Sequence, residues 1–353
     1  MKQYKRITLE DISSQIGISR TTIYKVINNK EGVSSRTRER VLAALESLGY
    51  RPNQAAKTLA LNRVLPVGFI GFHSDRSPHF SSNIVAGLTA AENELHDYGL
   101  HLDIDISDYR EPELQLSALE KMEERGVQGV LIVPNDIGKP SIVAELENRI
   151  KRLTAQGTYV VTINRDLPAS SRHWYVGCDY VKSGLLAAEI LGKMIKKGKI
   201  LPLITGSREN GFIDAEARLD GFYKKMKEFP NLEIITPFFE DNAEKPFTEY
   251  VEEQLRDPEL TGIFDISYKL DLISKLVRDR GNRVKVIGFD LSKSIRQNML
   301  EHVIDAIVFQ DMYSQGYQAV RSLFTVLSGN DYPRGDIITK LEVVFEENLG
   351  YYM

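Results

Sequence analysis

Two periodicities divide the chain. Over its first part, apolar residues recur at helical spacing: Leu9, Ile12 and Ile16, then Ile23, Val26 and Ile27, then Val41, Leu42, Leu45 and Leu48. Thr8 followed three residues on by Asp11 is a capping-box start. Gly17 stops that helix, and Ser19 and Ser34 are placed to cap the next two. Three short helices so marked are expected to close a miniature core. The second of them leaves Arg20, Thr21, Thr22 and Lys25 on its outer face, with no carboxylate among them. After Pro52 and Asn53 a further short, Ala-rich helix is expected, presenting Lys57 and one exposed apolar residue, Leu59.

From Leu65 the pattern changes to short apolar runs alternating with amphipathic stretches. Strands are expected at 65–72, 100–106, 127–134, 158–164, 200–206, 261–266, 284–290 and 306–310. Helices are expected at 82–98, 112–125, 141–156, 180–197, 214–228, 245–256, 268–280 and 313–328. Strand-helix alternation implies parallel sheets covered on both faces, and so many strands fit two similar α/β subdomains better than one sheet.

Charge separates the same two regions. Residues 1–63 hold 12 Lys and Arg against 5 Asp and Glu, or +7, whereas the remainder holds 33 against 44, or -11. A basic helical unit on an acidic body confines any polyanion contact to the N-terminal part. A hydrophobic content of 42% over 353 residues supports large cores. No run long enough to span a bilayer occurs, and the polar start MKQYKRITLEDI is unlike a secretion signal, so a cytoplasmic protein without membrane contact is expected. The lone Cys178 forms no intrachain disulfide and reads as a small buried hydrophobe. His73 and His79 have no accompanying ligand cluster, so neither a metal nor a cofactor is expected.

The consecutive motifs TLEDISSQIGISRTTIYKVIN, VSSRTRERV and YRPNQAAKTLA resemble the lactose-repressor (LacI) family of bacterial transcription regulators. That resemblance implies a small all-α helix-turn-helix domain at 1–51, a hinge helix and linker at 52–63, and an effector-binding and dimerisation domain at 64–353. The last would have the periplasmic sugar-binding fold of two doubly wound parallel-sheet subdomains. Crossings near Asn164, Asp290 and Leu327 would divide it into an N-subdomain of about 64–163 and 292–326 and a C-subdomain of about 165–290 and 328–346. Its polar face fits Arg20, Thr21 and Lys25 to base edges of the major groove, while Thr22, Asn28, Ser34 and Thr37 fit phosphates. Thr8, Ser19, Asn53, Ala56 and Lys57 complete the expected DNA-contacting set, and Leu59 suits a minor-groove wedge. The partners implied are palindromic double-stranded DNA, a small effector and a second copy of the chain. No heptad-patterned tail follows Phe345, so a homodimer is expected.

Ligands of open parallel sheets lie beyond the carboxyl ends of the strands. The polar and aromatic residues there are Ser77, His79 and Phe80, then Asn164 and Arg165, then Asp179, Arg218, Ser267, Asp290 and Gln310. By resemblance these are the effector-binding candidates, with Arg and Asp bonding hydroxyls and an aromatic stacking on a ring. Taken singly, Phe80 fits a core residue and Asp179 a helix cap equally well. Where relatives commonly carry an Asn-Asp pair, this chain reads Asp265-Ile266-Ser267-Tyr268, so a non-sugar, acidic or phosphorylated metabolite remains an alternative to a plain sugar. A solute-binding protein with no DNA role would leave the basic unit unexplained. GSRENG at 206–211 is neither GxGxxG nor a phosphate loop, and GxSxG, HExxH and CxxC are missing, so no enzyme is expected.

Overall fold

The computed structural model describes residues 7–27, 31–48, 64–74, 78–135, 139–204, 213–239, 243, 245–281, 284–331 and 333–352, with the side chains of 78, 79 and 213 excepted. Contacts divide the chain into two compact units, Met1–Arg63 and Val64–Met353.

In the first unit, α1 (Leu9–Ile16), α2 (Arg20–Ile27) and α3 (Ser35–Ser47) pack around Ile12, Ile23, Val26 and Val41, all buried. The local signals act as their chemistry requires. The Thr8 side chain accepts the Asp11 N–H while Asp11 accepts the Thr8 N–H at 2.8 Å, and Gly17 ends α1 in the left-handed region at φ 67°. Ser19 and Ser34 accept the N–H groups of Thr22 and Thr37 at 3.2 and 3.3 Å. Arg40 of α3 donates to the Ile16 carbonyl at 3.1 Å, satisfying an end group of α1. One expectation fails: Leu42 is 51% exposed, because α3 turns one stripe to so small a core and Val41, Leu45 and Leu48 fill it, with Leu42 about 100° round the helix from Val41.

The second unit has two lobes, each built on a parallel sheet. The first sheet holds β1 (Leu65–His73), β2 (Leu100–Asp108), β3 (Gly129–Ile132), β4 (Tyr159–Ile163) and β5 (Trp174–Gly177). The second holds β6 (Gly198–Ile204), β7 (Leu232–Ile234), β8 (Phe238–Phe239), β9 (Leu260–Ile266), β10 (Lys285–Phe289) and β11 (Ala306–Phe309). Two late strands are shared out, with β12 (Ile337–Ile338) joining β5 and β13 (Glu342–Val344) running antiparallel to β11. The orders are β12-β5-β4-β3-β1-β2 and β13-β11-β10-β9-β6-β7, and β8 also pairs with β6. Helices cover both faces of each sheet, as near-continuous apolar strands such as β3 and β4 demand.

The described helices of this unit are α4 (Pro78–Leu95), α5 (Leu114–Glu124), α6 (Pro140–Ala155), α7 (Tyr180–Met194), α8 (Ile213–Met226), α9 (Phe247–Gln254), α10 (Leu270–Asp279), α11 (Lys293–Leu300) and α12 (Met312–Leu327). A glycine pair lets helices touch backbone to backbone in each lobe. A Cβ on Gly87 of α4 would lie 2.0 Å from the Tyr313 carbonyl oxygen of α12, and one on Gly184 of α7 would lie 1.8 Å from that of Arg218 in α8. Gly316 and Gly221 make the reciprocal approaches.

The sheets correct the expected subdomain boundaries. Trp174–Gly177, absent from the expected strands, pairs with β4, and Trp174 Nε1 donates to Ser322 of α12 at 3.0 Å, so 165–177 stay in the first lobe. Conversely Ile295 and Met299 of α11 pack in the core of the second lobe. The chain therefore changes lobe beyond β5, between β11 and α12, and between β12 and β13, not near Asn164, Asp290 and Leu327. The first lobe holds 64–177 and 312–338, and the second 180–309 and 342–352.

Candidate ligand cleft and DNA-contacting face

Sharp turns end four strands of the second unit. Asn164 after β4, Tyr268 after β9, Asp290 after β10 and Asp311 after β11 have φ of 62°, 60°, 64° and 52°. This left-handed conformation costs an L residue about 1–2 kcal/mol. It turns the chain off the sheet abruptly and brings polar side chains together where the lobes face each other.

Gln310, at the passage from β11 to α12, is the hub. Its side-chain oxygen accepts from Arg218 at 2.9 Å and from the Cys178 thiol at 3.3 Å, and its side-chain nitrogen donates to Asp290 at 2.7 Å. Its backbone carbonyl accepts from Gln315 at 3.0 Å. Gln315 in turn accepts from the Asn164 side chain at 3.0 Å, while the hydroxyls of Tyr175 and Tyr180 both donate to the Asn164 carbonyl at 2.5 Å. Asn164 belongs to the first lobe and Tyr180 opens the first helix of the second, so these bonds tie the lobes at the crossing.

Arg218 is 1% exposed, with its guanidinium 4.1 Å from the Phe289 ring centroid and 4.9 Å from that of Tyr180. One helical turn earlier Asp214 lies 3.7 Å from it and accepts the Tyr268 hydroxyl at 2.6 Å. From the first lobe Arg165 comes within 3.9 Å of Asp214 and sits over the Phe72 ring, which stacks on Phe80 at 5.5 Å. Burial opposes ionisation of Asp214, but Arg165 and Arg218 outweigh it and hold the carboxyl below its ordinary range. Burial raises Asp290, with Arg218 and the Gln310 amide offsetting only part of the rise. The Cys178 thiol is pushed up to about 12 by burial, which leaves it no nucleophile at neutral pH. Among the described residues no cluster of three or more His, Cys, Asp or Glu could hold a metal. What the cluster offers is hydrogen bonding: guanidinium donors, carboxylate acceptors and aromatic faces around a buried polar hub.

Of the expected effector-binding residues, the structure brings Phe80, Asn164, Arg165, Arg218, Asp290 and Gln310 into this region. Asp179 is the N-cap of α7, accepting the Lys182 N–H at 2.9 Å. Ser267 gives both its N–H and its hydroxyl to Asp265, at 2.8 and 2.5 Å, and so fixes the turn that aims Tyr268. Ser77 and the His79 side chain lie outside the described residues. Asp214, Tyr180, Tyr268, Phe72 and Gln315 were missed. For Asp214 a signal existed, because Asp-Ala-Glu-Ala-Arg places it one turn before Arg218 on the same helical face.

On α2, Arg20 and Thr21 are exposed, Thr22 and Lys25 half-buried, and Tyr24, unforeseen, is exposed beside them at helical spacing from Arg20. Arg20 pairs with Glu10 at 2.8 Å, and both side chains are largely open to solvent. Thr8, Ser19, Ser34 and Thr37 have hydroxyls engaged in the caps. Asn28, Asn53, Ala56, Lys57 and Leu59 lie outside the described residues.

A capped three-helix unit with a polar second helix, followed by two parallel-sheet lobes meeting at a buried polar cluster, is the organisation of a DNA-binding regulator with a ligand-binding domain. Residues 8–53 match the model of bacterial regulatory proteins of the lacI family, and residues 68–331 that of the periplasmic binding protein domain. The chain joins a lacI-family DNA-binding domain to a domain of the periplasmic-binding-protein family, which forms its larger part, and is a transcription regulator. It is 26% identical to catabolite control protein A of Priestia megaterium over 332 residues, 90% of this chain and 91% of that protein. It is 27% identical to the HTH-type transcriptional regulator RegA of Clostridium saccharobutylicum over 226 residues, 63% of this chain and only 61% of RegA. Among solved structures, a Burkholderia graminis solute binding protein in complex with D-arabinose superposes with a TM-score of 0.71 at 24% identity, covering 82% of this chain and 98% of that one. A putative LacI transcriptional regulator from Bacteroides fragilis superposes with a TM-score of 0.71 at 16% identity, covering 82% and 100%. These two likenesses are likenesses of fold.

Proposed function

We propose that the chain acts in the cytoplasm as a homodimer on palindromic operator DNA, and that a small carbohydrate-like effector bound between the two lobes controls its grip on that DNA. The observation that carries the effector half is the buried cluster of Arg218, Asp214, Asp290 and Gln310 at strand ends, with Arg165 reaching it from the other lobe. A solute touching both lobes stabilises their closed arrangement. The Burkholderia graminis protein of the same fold is in complex with a sugar, D-arabinose. Arg20, Thr21 and Lys25 read base edges, Thr22, Asn28, Ser34 and Thr37 hold phosphates, and Leu59 wedges into the minor groove. One unit of this size makes too few contacts for tight specific binding, which favours a twofold dimer on two half-sites. The chain joins the two units at Arg63 and Val64, so a change of the first lobe is passed to the DNA-binding unit through 52–63. A gel shift on palindromic DNA, with and without a panel of sugars, tests this. The expected result is a specific complex whose midpoint moves with one sugar, and a complex that forms equally on unrelated DNA contradicts it.

A further inference from the structure

Asp214 distinguishes this cleft from a plain arginine site. It is 3% exposed, and α8 holds it one turn from Arg218. Its Oδ2 accepts the Tyr268 hydroxyl at 2.6 Å, while its Oδ1, 3.9 Å from Arg165 Nε, has no hydrogen-bond partner. Arg218 Nε is likewise buried and without one. A buried acceptor and a buried donor are thus both unfilled in one cluster, and unfilled buried polar atoms are costly unless a ligand meets them.

A hydroxyl meets both needs, since it donates to a carboxylate oxygen and accepts from a guanidinium N–H. A phosphate or carboxylate could use Arg218 but would set a second anion beside Asp214. Arg165 and Arg218 already face the Asp214 carboxylate, at 3.9 and 3.7 Å. Asp214 is held ionised by the two arginines, so its negative charge is present at neutral pH.

We propose that Asp214 is the specificity-determining residue that restricts this cleft to an uncharged polyhydroxylated ligand and excludes sugar phosphates and sugar acids. This rests on the reading of the cleft as the effector site. It decides between the sugar and the acidic or phosphorylated metabolite, and it makes Asp214 a filter on the buried Arg218.

The test is calorimetry and thermal denaturation of the full chain, titrated with inorganic phosphate, with glucose 6-phosphate and with uncharged aldopentoses and aldohexoses. Asp214→Asn keeps the shape and the bond to Tyr268 but removes the charge. Phosphate is expected to bind Asp214→Asn at least about tenfold more tightly than the wild type, a change of about 1.4 kcal/mol. An uncharged sugar that binds the wild type is expected to weaken in the variant. If Asp214→Asn fails to fold by circular dichroism, Asp214→Ser carries the same comparison. Equal phosphate affinity in the wild type and the variant overturns the proposal, as does a wild type that prefers glucose 6-phosphate to glucose. A separate outcome strikes the underlying reading: if a sugar binds and Arg218→Lys leaves its affinity unchanged, the cleft is not where it sits, and the proposal falls with it.

Discussion

On α2, Arg20 and Thr21 are exposed, Thr22 and Lys25 half-buried, and Arg20 pairs with Glu10 across open solvent; in the cleft, Arg218, Asp214, Asp290 and Gln310 are buried and joined by ion pairs and hydrogen bonds. The difference follows from the partners. A polyanion brings its own charge and releases its own counterions, so solvated cations suffice to meet it. A small solute brings little, so the groups that recognise it must be aimed beforehand by helices, turns and one another. The DNA face should therefore tolerate substitution without loss of stability, whereas the cleft should not.

The largest expected effect is in the cleft. Arg218→Ala leaves Asp214 and Gln310 without their buried cation, and breaking such a set costs about 3–5 kcal/mol. Urea denaturation checks this, and a loss below about 1 kcal/mol would mean the cluster is wet and loosely held. Second comes Asp265→Asn. Burial raises the Asp265 carboxyl to about 6, with Ser267 offsetting part of the rise. A folded pKa above the unfolded value of 3.8 means that the wild type binds its proton more tightly when folded. The wild type therefore loses stability as pH climbs from about 4 through about 6, and the neutral Asn variant does not. Their difference should grow across that window to at most about 3 kcal/mol in favour of the variant; a difference that stays flat with pH contradicts the burial effect.

On the other surface, Thr21→Ala should shift base preference by about 1–3 kcal/mol per altered contact while the melting temperature stays put. A variant that unfolds earlier but reads the same sequence would place Thr21 in the wrong class. Smallest is Glu10→Gln, which frees Arg20. Stability should change by less than about 0.5 kcal/mol, with a modest gain in DNA affinity. A clear loss of stability would show that the exposed pair matters to the helical unit after all.

The helix-turn-helix and the strand-helix alternation were legible because they are local. Caps such as Thr8 with Asp11, the stop at Gly17 and the apolar periods are written within a few residues of where they act. Leu42 was misread because periodicity gives a face but not how much of it a small core can cover. Lobe membership was not local, since Trp174–Gly177 is too short to announce itself and its place follows from pairing with β4. In the cleft the strand-end polar residues were found by position. Asp214 was readable from its place one turn before Arg218, but Tyr268 was not, because its bond to Asp214 exists only once α8 and the turn after β9 face each other.

The central claim is that the ligand in the cleft and the DNA on the helical unit act on one equilibrium. Calorimetry with the sugar that binds the full chain, repeated with palindromic operator DNA bound, tests it directly. Linkage requires the two affinities to differ, by about 1–3 kcal/mol for a regulatory coupling, and the sugar to shift operator affinity by the same factor. An effector affinity that is equal with and without operator would contradict the account and leave a binding module merely joined to a DNA reader.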